Sequence, residues 1–311
     1  MATEPVLAVL DMPVAQRRRF VDSGVLMDYW ALTKPEVNFL IVITTLTGFY
    51  LGCAAQSRDV PVLPLINAVL GTLLVASGAG TLNQYIERRF DAQMRRTARR
   101  PLAAGRLNAS AVLGFGVALS AAGSVYLAVA VNGLASFLAI VTLLSYLFLY
   151  TPLKRRTPLC TLVGAVPGAI PPLIGWAAAT GSLNFGAWTL FAVLFLWQFP
   201  HFMAIAWMYR EDYDRAGYLV LPQGDSKAGF AILQTILPLL VLIPFSLLPA
   251  FTGRAGMVYS VGALFLSLGY LYYGARFAFR RSVPGARRLL ATSIIYLPLL
   301  FVLMLLCRGG L

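Results

Sequence analysis

Long uncharged apolar runs alternate with short polar stretches from about residue 31 to the C-terminus. A helix crossing the roughly 30 Å hydrocarbon core of a bilayer needs about 20 mostly apolar residues. Nine runs of that kind are present, centred near residues 47, 75, 120, 143, 169, 197, 240, 266 and 298. Most are separated by short connections such as "AAQSRDVP" and the Gly- or Asn-bearing "VNG", "TGSLN" and "FTGRAG", which suit antiparallel neighbours. A transmembrane barrel would instead show segments of about ten residues with alternating polarity, and none occur. The pattern predicts an all-α polytopic membrane protein of nine helices, with one transmembrane domain over residues 31–311 and a tail over residues 1–30.

Composition agrees with this reading: 59% of the 311 residues are hydrophobic and 12% are charged, and the mean hydropathy is +0.76. The net charge of +13 is unevenly placed. With a cytoplasmic N-terminus, 22 of the 25 lysines and arginines fall on the cytoplasmic side, leaving only Arg58, Arg254 and Arg308 outside. The positive-inside rule therefore orients the chain with its N-terminus in and its C-terminus out. Anionic lipid headgroups account for much of the charge, and no basic module stands apart from the membrane segments, so nucleic-acid binding is not expected. The first 20 residues lack the unbroken apolar core of a cleaved secretory signal, and their arginines, Arg17 to Arg19, follow the apolar part. No Arg- and Ser-rich, acid-poor presequence is evident, which points to a bacterial inner membrane rather than a mitochondrion. Cys53, Cys160 and Cys307 are too widely spaced to suggest a disulfide framework or a metal site, and packing is their expected role.

The second apolar run ends in "NQYIERRFDAQMRRTARRP", residues 83–101. Positions i, i+4 and i+8 of a helix turn by only about 40° per step, so Asn83, Glu87 and Asp91 share one stripe. Such an oxygen-rich ladder suits a hard divalent cation like Mg²⁺, which takes one or two carboxylates together with substrate phosphates. Arg95, Arg96, Arg99 and Arg100 follow it and offer bidentate grips for remaining phosphate oxygens. A diphosphate held through Mg²⁺ fits this pairing; so does plain neutralisation of the acids by nearby arginines.

The sixth run, "FAVLFLWQFPHFMAIAWMYREDYDRAGYLVLP", leaves the membrane on the same side. On a continuous helix His201, Ile205, Met208 and Asp212 would share a face, bringing a second acidic exit toward the first. Between the two exits, "YTPLKRRTP" supplies Lys154, Arg155 and Arg156 as anion ligands or as positive-inside anchors. His201 is the only histidine and lies at membrane depth beside Pro200, whose missing N–H disturbs the local ladder. Three roles stand open for it: a satisfied packing residue, a transient axial ligand to an iron centre, or a holder of water. Discontinuous helices or an inverted repeat at the midplane would mark a transporter instead.

Five stretches, "LTKPEV" (32–37), "NQYIERRFDAQMRRTARRPL" (83–102), "YTPLKRRTP" (150–158), "GAVPGAIPPLIGWAAATG" (164–181) and "WQFPHFMAIAWMYREDYDRAGYLVLP" (197–222), resemble the UbiA-type intramembrane prenyltransferases, in particular their heme-modifying branch. The resemblance implies nine helices around a central cavity that opens to the cytoplasm and to lipid. It implies Mg²⁺-dependent transfer of the farnesyl group of farnesyl diphosphate to the 2-vinyl group of heme B with addition of water, giving heme O. Asn83, Glu87 and Asp91 match the first metal motif in its N-x-x-x-E-x-x-x-D form, and Glu211 and Asp212, with Asp214 in reserve, stand for the second. Asn83, Glu87, Asp91, His201 and Asp212 are then the catalytic candidates. Arg95, Arg96, Arg99, Arg100, Lys154, Arg155 and Tyr209 are the substrate-binding ones. Trp197, Phe199, Phe202 and Trp207 join Tyr209 as wall candidates. Glu36 departs from the pattern, since relatives often carry a basic residue after "KP". Another acceptor such as 4-hydroxybenzoate would keep the fold and the first motif. Heme A synthase or terminal-oxidase assembly would be the downstream partner.

Overall fold

The computed structural model describes residues 24–222, 226–251 and 256–307. Arg17 to Arg19, Arg254, Arg308, the Lys227 side chain and most of the expected tail lie outside the described residues. Among the described residues nine helices are long and apolar enough to cross a membrane: α1 (Pro35–Ala55), α2 (Val62–Asp91), α3 (Ala109–Ala130), α4 (Gly133–Leu153), α5 (Cys160–Thr180), α6 (Phe185–Met208), α7 (Gly229–Phe251), α8 (Met257–Arg280) and α9 (Val283–Leu306). Several starts are fixed by local chemistry. The side chains of Asn108, Asn132, Asn184 and Ser282 accept hydrogen bonds from first-turn N–H groups of α3, α4, α6 and α9, each cap contributing about 1 kcal/mol. Gly181, at φ +72°, closes α5 in the left-handed region that a Cβ would disfavour.

The enclosed centre of the bundle is α5, whose Trp176 is fully buried. It meets α1 at van der Waals range: a Cβ on Gly48 would strike the Pro172 carbonyl, and one on Gly175 the Thr45 carbonyl. Small residues are what allow two membrane helices to approach so closely, and the cavity wall beside them inherits that rigidity. Pro171 and Pro172 interrupt the hydrogen-bond ladder of α5, yet Ile170 keeps helical angles (φ −74°, ψ −30°). The interruption is confined to that one residue. On the far side α6 packs against α7, α8 and α9 through buried phenols. Tyr259 donates to the Ser246 carbonyl (2.6 Å), Tyr270 to the Trp197 carbonyl (3.1 Å), and Tyr296 pairs with the Ser246 hydroxyl (2.7 Å). The polar tips of these three rings are satisfied.

Two local departures shape the site. The end of α4 winds as a π-helix over Ser145–Tyr150, which widens the turn that carries Tyr146 and Tyr150. The continuous face expected from His201 to Asp212 does not form. Backbone angles at Tyr209 (φ −109°, ψ 21°) end α6, and a separate short helix, Arg210–Arg215, sets off from it. Within the stretch expected to be tail, residues 24–32 form a helix. Tyr29 packs edge-on against Phe115, and Asp28 accepts a two-pronged ion pair from Arg106 (2.8 and 2.9 Å).

Candidate active site

A cavity of about 720 Å³ runs from the polar ends of α1, α2 and α4 inward to α6 and α9. That size lies in the usual range for small-molecule sites. Asn83, Glu87 and Asp91 all line it, as one stripe on the last two turns of α2.

Each rung of the stripe meets a cation from a different element. Lys34, just before α1, donates to Asn83 Oδ1 (2.8 Å). Lys154, just after α4, donates to Glu87 Oε1 (2.8 Å), and Arg100, in the turns after α2, donates to Asp91 Oδ2 (2.7 Å). The acids are therefore not paired with their own helix's arginines at i+4, so the purely local account of the stripe does not describe it. Lys34 reaches its rung from a left-handed backbone (φ 55°, ψ 61°), an uncommon conformation outside glycine. Burial pushes its ammonium below the ordinary lysine range. For Lys154 burial acts the same way, but the adjoining Glu87 carboxylate, together with Tyr150 and Tyr146, outweighs it and holds that ammonium well above its ordinary value.

The stripe also keeps free acceptors. Asp91 Oδ1 is buried with no hydrogen-bond partner among the described residues, and so is the Tyr218 hydroxyl close by. A buried carboxylate oxygen left bare is costly unless something binds it, which fits a hard cation. Among the described residues no group of three or more His, Cys, Asp or Glu side chains is gathered closely enough to hold a metal by itself. One amide and two carboxylates fit an ion that takes its remaining ligands from a phosphate.

The other sequence candidates divide. Arg96 and Arg100 line the cavity, whereas Arg95, Arg99 and Arg155 are exposed and do not. Arg155 lies over the Phe90 ring (4.3 Å), and Arg96 lies over Tyr209 (4.9 Å), so Tyr209 meets the cavity only through that arginine. Glu211 is exposed and pairs with Arg210 (3.6 Å). Asp212 is buried, but its Oδ2 accepts the backbone N–H of Arg96 (3.1 Å) and its Oδ1 faces Arg215 (3.2 Å). Neither acid lines the cavity. His201 lines its deeper part with Trp197 and Phe202, while Phe199 and Trp207 do not line it. Sequence reasoning passed over Lys34, Tyr146, Tyr150, Gln198 and Tyr218 as wall residues. Lys34 had a signal, a lone basic residue opening an apolar run. The π-turn that presents the two tyrosines had none.

Residues 41–306 match the model of the UbiA prenyltransferase family. The chain belongs to that family. A UbiA family relative from Solibacter usitatus, named protoheme IX farnesyltransferase, is 51% identical over 290 residues, which are 91% of this chain and 99% of the relative. A protein of the same name from Koribacter versatilis is 39% identical over 97% of this chain and 99% of its own length. Among solved structures, a digeranylgeranylglyceryl phosphate synthase study shares the fold at a TM-score of 0.73 and 16% identity, covering 92% of this chain and 99% of that one. A UbiA homolog from Archaeoglobus fulgidus, bound to GPP and Mg²⁺, aligns at a TM-score of 0.58 and 12% identity over 89% of this chain and 99% of its own. A multi-span UbiA enzyme fold is thus common ground.

Proposed function

We propose that this enzyme transfers the farnesyl group of farnesyl diphosphate to the 2-vinyl group of heme B with addition of water, giving heme O and diphosphate. The observation that carries the reading is the cavity itself, a charged mouth opening on an apolar, aromatic interior, in a chain half identical to a protoheme IX farnesyltransferase. Asn83, Glu87 and Asp91 are the residues that would hold Mg²⁺. When bound, the ion neutralises diphosphate oxygens and so eases departure of the leaving group.

Lys34, Lys154, Arg96 and Arg100 surround the same place and balance the charge that develops as the C1–O bond of the farnesyl donor breaks. The resulting allylic cation is attacked by the terminal vinyl carbon. Tyr146, Tyr150, Trp197 and Phe202 wall the interior and keep bulk water away until the carbon–carbon bond exists. Asp212 serves this reading through the loop it holds by accepting the Arg96 N–H. The bias of basic residues puts the mouth on the cytoplasmic side of a bacterial inner membrane, with residues 1–30 as its cytoplasmic segment and a heme-consuming enzyme of oxidase assembly downstream.

Purified protein in detergent, given heme B, farnesyl diphosphate and Mg²⁺, is expected to yield a heme heavier by one farnesyl group plus water, with the product lost on chelation. A prenylated aromatic acid in a parallel acceptor screen, with heme unchanged, would overturn the acceptor and leave the fold standing.

A further inference from the structure

Deep in the cavity, α6 presents two neighbouring polar side chains whose hydrogens are already committed elsewhere. Gln198 uses both amide hydrogens: its Nε2 donates to the carbonyls of Ala165 (3.1 Å) and Leu194 (3.1 Å). Two carbonyls can only accept, so the amide's orientation is fixed and Oε1 is left as an acceptor. That oxygen sits over Gly168, where a Cβ would collide with it, and both residues line the cavity.

His201 is fixed by a parallel argument. Its Nδ1 lies 2.8 Å from the Ser293 hydroxyl of α9, and that hydroxyl donates its single hydrogen to the Leu290 carbonyl (2.6 Å). The hydrogen between Nδ1 and Ser293 must then belong to the imidazole. Nε2 carries the lone pair and has no protein partner among the described residues. Trp197 stacks on the ring (4.7 Å between centroids) and donates to the Ser293 carbonyl (2.9 Å), so the imidazole is clamped in plane as well as in tautomer.

We infer that Gln198 Oε1 and His201 Nε2 hold the water that quenches the reaction, with Ser293 as the positioning residue. The inference rests on the heme-farnesylating reading above. Residues three apart on a helix are neighbours on one face, and both side chains line the cavity from which the water would come. Two acceptors demand both of its hydrogens, which turns its lone pair outward to the cavity. When the vinyl π pair forms the new carbon–carbon bond, positive charge is left on the vinyl carbon next to the macrocycle. The water lone pair forms the C–O bond there, one O–H proton passes to Nε2, and that bond's electron pair stays on oxygen. Without a held water the same cation instead loses a proton from the adjoining methylene and gives a farnesylated heme lacking the added water.

The test reads product partition rather than rate. Wild-type enzyme assayed in dilute methanol should still give the alcohol with almost no methyl ether, because methanol has one O–H hydrogen for a site that needs two. Gln198→Met should raise the ratio of dehydrated to hydrated product about tenfold, the loss of one hydrogen bond to the water. Ser293→Ala should raise it about threefold, with Ser293→Thr restoring the wild-type ratio. Methyl ether in proportion to methanol would overturn the held water, as would variants that slow turnover at an unchanged ratio. Axial ligation of heme iron by Nε2 would give that pattern, since it leaves the cation open to solvent. A wild type that makes no farnesylated heme would fail the underlying function instead.

Discussion

Two acidic clusters close two membrane helices at the same end of the bundle, and they are wired in opposite senses. On α2, Asn83, Glu87 and Asp91 face the cavity, each opposite one cation from outside the helix, and Asp91 keeps a bare oxygen. After α6, Asp212 turns away from the cavity and uses both oxygens inside the protein, one on the Arg96 backbone and one on Arg215. A carboxylate with spare valence toward a cavity is built to receive a ligand. One whose acceptors are spent on a loop is built to hold that loop. On the function proposed above, the α2 stripe serves metal and diphosphate, while Asp212 holds the turn carrying Arg96.

Amide substitution breaks that comparison most sharply, because it removes charge and keeps shape. Glu87→Gln and Asp91→Asn should each lose at least about 10²-fold in kcat, the order expected when one preorganised electrostatic partner of a developing charge is lost. A binding assay in which farnesyl diphosphate no longer gains affinity on adding Mg²⁺ would separate this from misfolding. Retention of Mg²⁺-dependent binding in both variants would remove the stripe from the metal.

The same substitution at Asp212 should act weakly. An asparagine there still accepts the Arg96 N–H, so Asp212→Asn should keep kcat within about threefold, while Asp212→Ala loses the bond and raises KM for the diphosphate about tenfold. If Asp212→Asn were as inactive as Asp91→Asn, the second cluster would have to swing onto the ligand during turnover.

Much of this was legible from sequence alone. The nine spans follow from apolar runs, and the α2 stripe from helical spacing, because both are local periodicities. The Asp212 geometry was not legible for a specific reason: extrapolating one helical face from His201 to Asp212 assumes that α6 continues, and Tyr209 ends it. Cross-element pairs were equally hidden. Lys34 and Asn83 are 49 positions apart, Lys154 and Glu87 are 67, and no local pattern ties them. Gln198 and Ser293 acquire their roles only through hydrogen-bond accounting, which needs the carbonyls of three helices in place.

The smallest expected effect contrasts two cations of the stripe. Both lysines are half-buried, but Lys34 faces a neutral amide and its ammonium titrates below the ordinary lysine range, whereas Lys154 faces a carboxylate and titrates well above it. As pH rises on the alkaline side, Lys34 therefore loses its charge first and Lys154 keeps its own. The attraction for diphosphate should weaken in that window, so KM for farnesyl diphosphate should climb at a lower pH than an unperturbed lysine would dictate, with kcat less affected. Lys34→Arg keeps the positive charge throughout, because a guanidinium does not deprotonate below about pH 12. In that variant the alkaline rise of KM should flatten. A rise of the same size in Lys34→Arg would place the titrating group elsewhere and reduce Lys34 to a structural partner of Asn83.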